Sequence, residues 1–297
     1  MELLQECPIC RSQNFDPFLK CIDYTVSKES FQIVNCTACG FKFTNPRPGP
    51  NEIGKYYEST DYISHSNSKK GLINSIYQIV RKRAINGKLK ILESHADKRS
   101  RSILDIGCGT GEFLSACKNE GWKTKGIEPN ENARNQAKFN YALDVSGEEE
   151  ILSLTGGYGF ITMWHVLEHV HNLRERVKQI RTLLENEGIA IIAVPNLTSA
   201  DAKKYGEFWA AYDVPRHQYH FSPERIKNLF QTEGMEHIQS LPMVYDSYYV
   251  SMLSEKYRNG KNNLFGAFVS GFGSNSKAGK NAELYSSVIY IFRKNNQ

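Results

Sequence analysis

The chain has 297 residues, of which 40% are hydrophobic and 23% charged, and its 37 Lys and Arg against 32 Asp and Glu leave a formal net charge of +5. This length accommodates one large core domain and one small accessory domain. No apolar run approaches the length of a bilayer span and no charged-then-apolar leader opens the chain, which predicts a soluble, cytoplasmic protein with reduced cysteines and no membrane partner.

From the N-terminus, Cys7-Pro8-Ile9-Cys10 is answered by Cys36-Thr37-Ala38-Cys39-Gly40, two Cys-x-x-Cys knuckles with 25 residues between them. Four thiolates at this spacing can surround one tetrahedral zinc, and the glycine after the second pair permits the tight turn that a knuckle needs. So short a segment cannot bury enough apolar surface to fold alone, so Cys7, Cys10, Cys36 and Cys39 are expected to close a structural Zn2+ site in a ribbon over 1–45. The ribbon aromatics Phe15, Phe18, Tyr24, Phe31, Phe41 and Phe43 are of the kind that fill such a core or stack on bases.

Asn45-Pro46-Arg47-Pro48-Gly49-Pro50 ends the ribbon, because proline-rich sequence cannot continue strand pairing. A linker and basic helical region follows over 46–99. Within it, Tyr62 to Ser68 reads as a connector or lid, and 69–101 holds ten Lys or Arg against two acids. Leu72, Ile73, Ile76, Ile79, Val80, Ile91 and Leu92 recur at helical spacing, so one face packs while the basic face is solvated, or meets phosphates through Arg81, Lys82 and Arg83.

At Ile103-Leu104-Asp105-Ile106-Gly107-Cys108-Gly109-Thr110-Gly111 an apolar strand runs into three glycines two apart. Glycine there lets the backbone turn sharply and approach a ligand, and a helix starting near Glu112 points free N–H groups at it. A dinucleotide fingerprint needs a third glycine where Glu112 stands, so nicotinamide binding is disfavoured. The next strand, Lys123 to Ile127, ends in Glu128-Pro129, seventeen positions after Gly111. A carboxylate at that tip can accept hydrogen bonds from both hydroxyls of a ribose. Tyr141 to Val145 reads as the third strand, and Tyr158 to Trp164 as a buried fourth strand running into His165-Val166-Leu167-Glu168-His169. Gly188 to Val194 gives the fifth, and Leu284 to Lys294 is a strand suited to an antiparallel sheet edge.

The acidic-x-Gly-x-Gly-x-Gly run resembles motif I of class I S-adenosylmethionine (SAM) dependent methyltransferases, and the segment after the fourth strand is similar to that of small-molecule O-methyltransferases. The resemblance covers about two thirds of the chain. It implies an α/β, Rossmann-like sheet of parallel strands with an antiparallel last strand over 100–297, with a substrate cap near 204–222 and an insertion near 245–282 that covers the pocket or forms a dimer contact. It also implies that Asp105, Gly107, Cys108, Gly109, Gly111, Glu128, Pro129, Trp164 and His165 line the SAM site.

Methyl transfer from a sulfonium needs near-attack geometry, and a hydroxyl acceptor must also lose a proton. His165 at the strand tip, and His217 and His220 in the cap, are the candidate catalytic bases, with Glu168 and His169 placed to orient His165 or to face solvent. The fourth-strand tip carries no Asn/Asp-Pro-Pro-Tyr/Phe sequence, which disfavours methylation of a base amine. Four-cysteine ribbons ahead of such domains occur in sugar C-methyltransferases and in one group of ribosomal RNA methyltransferases. Nearly matched charges before residue 46 favour a small-molecule acceptor, a sugar derivative among the candidates, methylated on oxygen or carbon, over RNA. A SAM-binding module without catalysis is the alternative from outside enzymes.

Overall fold

A strand of five residues, Ser102–Ile106 (β4), lies at the centre of the architecture, in a computed structural model that describes residues 1–58, 72–97, 99–261 and 263–295. Ile103, Leu104, Asp105 and Ile106 are all buried, as expected of a parallel strand covered on both faces. It pairs in parallel with Lys123–Ile127 (β5) on one side and Tyr158–Trp164 (β7) on the other. Beyond β5 lies Val145–Ser146 (β6), and beyond β7 lies Leu184–Pro195 (β8). The third strand is thus shorter and later than the expected Tyr141 to Val145: Tyr141 ends the helix Glu131–Tyr141 and Ala142 caps it at φ +49°, so pairing begins only at Val145. The order of strands therefore reverses at β4, and this opens a crevice at the carboxyl ends where ligands bind in open α/β sheets.

The last strand, Ser287–Lys294 (β11), runs antiparallel to β8 as the sequence predicts. It is not the edge. Met235–Pro242 (β10) pairs on its outer side, giving the seven-strand order β10-β11-β8-β7-β4-β5-β6. Sequence reading misses β10 because only one of its two faces is covered and its residues, Met-Glu-His-Ile-Gln-Ser-Leu-Pro, lack a clean apolar alternation.

Alternate residues of the sheet serve opposite cores. Ile103, Phe160, Ile189 and Ile191 pack with Phe113, Leu114 and Cys117 of the helix Glu112–Asn119 (α2), Ala137 of Glu131–Tyr141 (α3) and Leu92 of Leu72–Ser94 (α1). Leu104, Ile106, Ile161, Ala190 and Ile192 pack on the other face with Leu173–Leu183 (α4), Pro223–Thr232 (α6) and the ribbon residues Cys36, Phe41 and Phe43. The connector expected at 62–68 lies outside the described residues, as do the side chains of Leu72, Ile73, Ile76 and Ile79. No described helix is long and apolar enough to cross a membrane.

The ribbon's strands, Phe15–Ile22 (β1), Ser30–Cys36 (β2) and Lys42–Thr44 (β3), form an antiparallel sheet whose fourth member comes from the cap. Tyr219–His220 (β9) pairs with β3 in the register Phe43↔Tyr219 and Lys42↔His220. An uncovered β3 edge would leave its ladder groups to solvent or to another chain, and β9 removes that exposure. The insertion forms two helices, Asp246–Asn259 (α7) and Leu264–Ala278 (α8), anchored to the short helix Ala200–Tyr205 (α5). Tyr205 donates to Glu255, Lys204 to Ser270, and Ser274 to the buried Asp201.

Candidate active site

The glycine loop fills the turn between β4 and α2. Gly107, Gly109 and Gly111 all have positive φ, at +75°, +56° and +85°, a region that favours glycine. The amides of Gly107 and Cys108 both donate to the Ile127 carbonyl, and that of Gly111 to the Cys108 carbonyl, so these donors hold the loop in shape. A Cβ at Gly109 would meet nothing within 4 Å among the described residues, so they leave room above the middle of the loop.

Glu128 stands at the tip of β5, 9% exposed, with Oε2 accepting from the Gly109 amide at 2.8 Å and Oε1 from the Asn130 amide at 2.9 Å. Burial pushes its carboxyl up, and the two amides and Arg134 oppose that. A carboxylate fixed in this way keeps further lone pairs for a diol. Pro129 is exposed beside it. Asp105 lies deeper, 2% exposed, where it accepts from Thr162 Oγ1 at 2.5 Å, and burial pushes it up to about 7.

Trp164 closes β7 with its ring edge-on to Phe113 at 5.5 Å, and its buried indole N–H has no hydrogen-bond partner among the described residues. Lys88 of α1 sits 4.3 Å over the same ring, and Arg81 pairs with Glu112 in the first turn of α2. The basic helix is thus not simply a solvated face. Lys82 and Arg83 are exposed, while Arg81 and Lys88 turn toward the crevice.

Past Trp164 the chain bends sharply, and His165 takes a φ of +58°. Its Nδ1 lies 3.3 Å from Glu168 Oε1 and its Nε2 2.8 Å from Asp246 Oδ2. Burial works against its charge, but Asp246 and Glu168 prevail and push the ring up to about 10, so it is a cation at neutral pH. Glu168 is fully buried, and its Oε2 has no hydrogen-bond partner among the described residues. Around it, Glu168, His169 and His217 each offer a ligand atom within 4.8 Å of the others. His217 Nδ1 lies 2.8 Å from the Ala211 carbonyl and His169 Nδ1 3.1 Å from the Arg216 carbonyl. Carbonyls only accept, so a proton on Nδ1 satisfies each of these two contacts. Burial, with His217 close by, pushes His169 down to about 4. A buried carboxylate and two imidazoles therefore meet in one cluster, a set suited to hydroxyl protons and of the composition that divalent cations accept.

A family model described as a methyltransferase domain matches residues 60–240. The chain belongs to that family. Its curated relatives include ubiquinone biosynthesis O-methyltransferases of Rickettsia bellii, 25% identical over 66% of this chain and 85% of the relative, and of Rickettsia prowazekii, 27% identical over 61% and 77%. Among solved structures, magnesium protoporphyrin IX methyltransferase from Synechocystis PCC 6803 with bound SAH superposes with a TM-score of 0.53 at 11% identity, covering 80% of this chain and 96% of that one. A putative sarcosine dimethylglycine methyltransferase from Galdieria sulphuraria gives 0.52 at 14% identity, over 72% and 86%. These structures share the class I methyltransferase fold.

The N-terminal cysteines of this methyltransferase converge from both knuckles. Cys7 Sγ lies 3.7 Å from Cys39 Sγ, and Cys10 Sγ 3.5 Å from Cys36 Sγ, far beyond disulfide length. Sulfurs on a tetrahedron with bonds of about 2.3 Å stand roughly 3.8 Å apart, so the donor set fits Zn2+. The fit is structural in kind, since four protein ligands leave no open position.

Of the three histidines considered as bases, the methyltransferase brings His165 and His217 to Glu168 but places His220 elsewhere. His220 is 4% exposed in the ribbon's sheet, 3.1 Å from Thr44 Oγ1 and packed on Tyr212, and burial pushes it down to about 3. The ribbon aromatics Phe31, Phe41 and Phe43 are buried and unavailable for stacking on bases. Sequence reasoning missed Asp246 and Tyr57, whose hydroxyl lies 3.0 Å from His169 Nδ1. Neither sits in a motif, and tertiary packing alone brings them in.

Proposed function

We propose that the chain is a SAM-dependent methyltransferase that transfers a methyl group to oxygen, or to an enolisable carbon, of a small-molecule acceptor. SAM supplies an activated methyl on a sulfonium, so the protein has mainly to bind, orient and remove a proton. The glycine loop with Cys108, Glu128, Pro129 and Trp164 would hold the nucleoside, with Glu128 taking the ribose hydroxyls. Asp105 ties β4 to β7 in the sheet interior through Thr162.

The observation that carries the acceptor side is the buried Glu168, whose Oε2 has no hydrogen-bond partner among the described residues, clustered with His169 and His217. An unsatisfied buried carboxylate oxygen calls for a hydroxyl group, and a hydroxyl held there can lose its proton to His217 as the methyl arrives. His165, cationic between two carboxylates, fixes Glu168 and is suited to stabilise negative charge on the acceptor. The O-methyltransferase names of the relatives support oxygen as the target. The four cysteines would bind one structural Zn2+.

Calorimetry with SAM and its demethylated product tests the cofactor half, with affinity expected in the micromolar range. Transfer of labelled methyl to a panel of phenols, catechols and sugars tests the acceptor half. Failure of the protein to bind either SAM or its product would overturn the reading.

A further inference from the structure

The ribbon and the acceptor side of the crevice share backbone hydrogen bonds. The Thr44 amide of β3 donates to the Gln218 carbonyl at 2.9 Å, and the Gln218 amide donates onward to the Glu168 carbonyl at 2.8 Å. Thr44 Oγ1, fully buried, donates to the His217 carbonyl at 3.0 Å. One residue earlier, Arg216 is 1% exposed and donates four hydrogen bonds. Its Nε and Nη2 grip Asp213 at 2.9 and 2.6 Å, Nη1 reaches the Tyr56 carbonyl at 2.8 Å, and Nη2 reaches Asp23 Oδ1 at 3.0 Å. Asp23 belongs to the ribbon, 1% exposed, in the turn between β1 and β2, where it also accepts from the amides of Thr25, Val26 and Ser27.

Residues 216–218 are therefore held from the ribbon on two sides, by a hydroxyl and by a buried ion pair, with His217 between them. We infer that the four-cysteine ribbon is a positioning element of the acceptor site, acting through Thr44 and Asp23 to aim the His217 ring at Glu168. This rests on His217 being the acceptor-side base. An accessory domain used for docking would leave the site intact when its contacts are cut, whereas here the contacts that close the ribbon's sheet also set the backbone carrying the base. The cofactor half hangs from β4 and β5, which these bonds do not touch. A fork of this kind needs both carboxylates, since removing one leaves a buried guanidinium short of a partner.

The test uses the full chain and two readouts. Long-range proton–nitrogen NMR reports which nitrogen of His217 carries the proton, with the resonance assigned through His217→Gln. Calorimetry with the demethylated cofactor reports the other half. Thr44→Val keeps volume and removes the hydroxyl, Thr44→Ser restores it, and Asp23→Asn removes the charge. In Thr44→Val and Asp23→Asn the single Nδ1–H tautomer set by the Ala211 carbonyl should give way to a mixture, with product affinity within twofold of wild type. Thr44→Ser should retain the wild-type pattern. An unchanged His217 tautomer in folded Thr44→Val overturns the inference, as does a parallel collapse of product affinity. If Asp23→Asn does not fold, the Thr44 pair decides. Absence of product binding in the wild type would instead sink the proposed function, whatever the histidine shows.

Discussion

Asp246 Oδ2 lies 2.8 Å from His165 Nε2, so the first residue of a helix far along the chain grips the ring at the tip of β7. Glu168 holds the other nitrogen. Burial opposes the charge on His165, but the two carboxylates raise it from 6.5 to about 10, while His165 helps to hold Asp246 below its usual range. A raised base stabilises the fold fully below its unfolded value and loses that contribution as pH climbs through the folded value. The thermal midpoint of wild type should exceed that of His165→Gln by roughly a few degrees at pH 5–6.5, a gap that closes toward pH 10. The Asp246 contribution follows the opposite sign, present above the ordinary carboxylate range and lost in acid. A gap independent of pH would mean that the ring is neutral.

Glu128→Gln should weaken SAM binding about 10- to 100-fold, because it replaces charge-assisted hydrogen bonds and points an amide donor at the Gly109 or Asn130 amide. Calorimetry checks this, with circular dichroism to show an intact fold.

The three loop glycines should not be equivalent. A Cβ at Gly111 would come within 2.7 Å of Leu143 and 2.8 Å of Ala137, and one at Gly107 within 2.4 Å of Val166, whereas Gly109 has room. Alanine at Gly109 should cost roughly 1–2 kcal/mol from its positive φ alone. At Gly107 or Gly111 overpacking adds about 1–3 kcal/mol more, which urea unfolding can resolve.

Elemental analysis should find one zinc per chain, absent in Cys36→Ser. Because β9 belongs to the ribbon's sheet, chelation should also change the fluorescence of Trp209, which packs with Phe31 and Ile33 of the ribbon. A Trp209 signal blind to chelation would mean that the ribbon core stands without the metal.

Two carboxylates illustrate how far sequence reaches. Glu128 was legible because a strand, a glycine loop and a fixed spacing place it without reference to the rest of the chain. Glu168 was visible only as a neighbour of His165, with a solvent-facing position as good as a buried one, until the fold placed it at zero exposure against His217 from a segment 49 residues onward. The basic helix shows the same limit, since its amphipathic pattern gave a buried face but not that Lys88 would lie over Trp164.

The amino-acid sequence by itself determined four of the sheet strands, β4, β5, β7 and β8, the glycine turn, the acid at the tip of β5 and the pairing of cysteine knuckles, because each depends on local periodicity, on backbone freedom or on spacing along the chain. Only the tertiary structure decided that the cap completes the ribbon, that β10 takes the edge, and that His165, Glu168, His217 and Asp246 meet. Those contacts arise where separate segments bury polar groups together, and a buried charge or lone pair is satisfied by whatever the packing brings near, which no local pattern records.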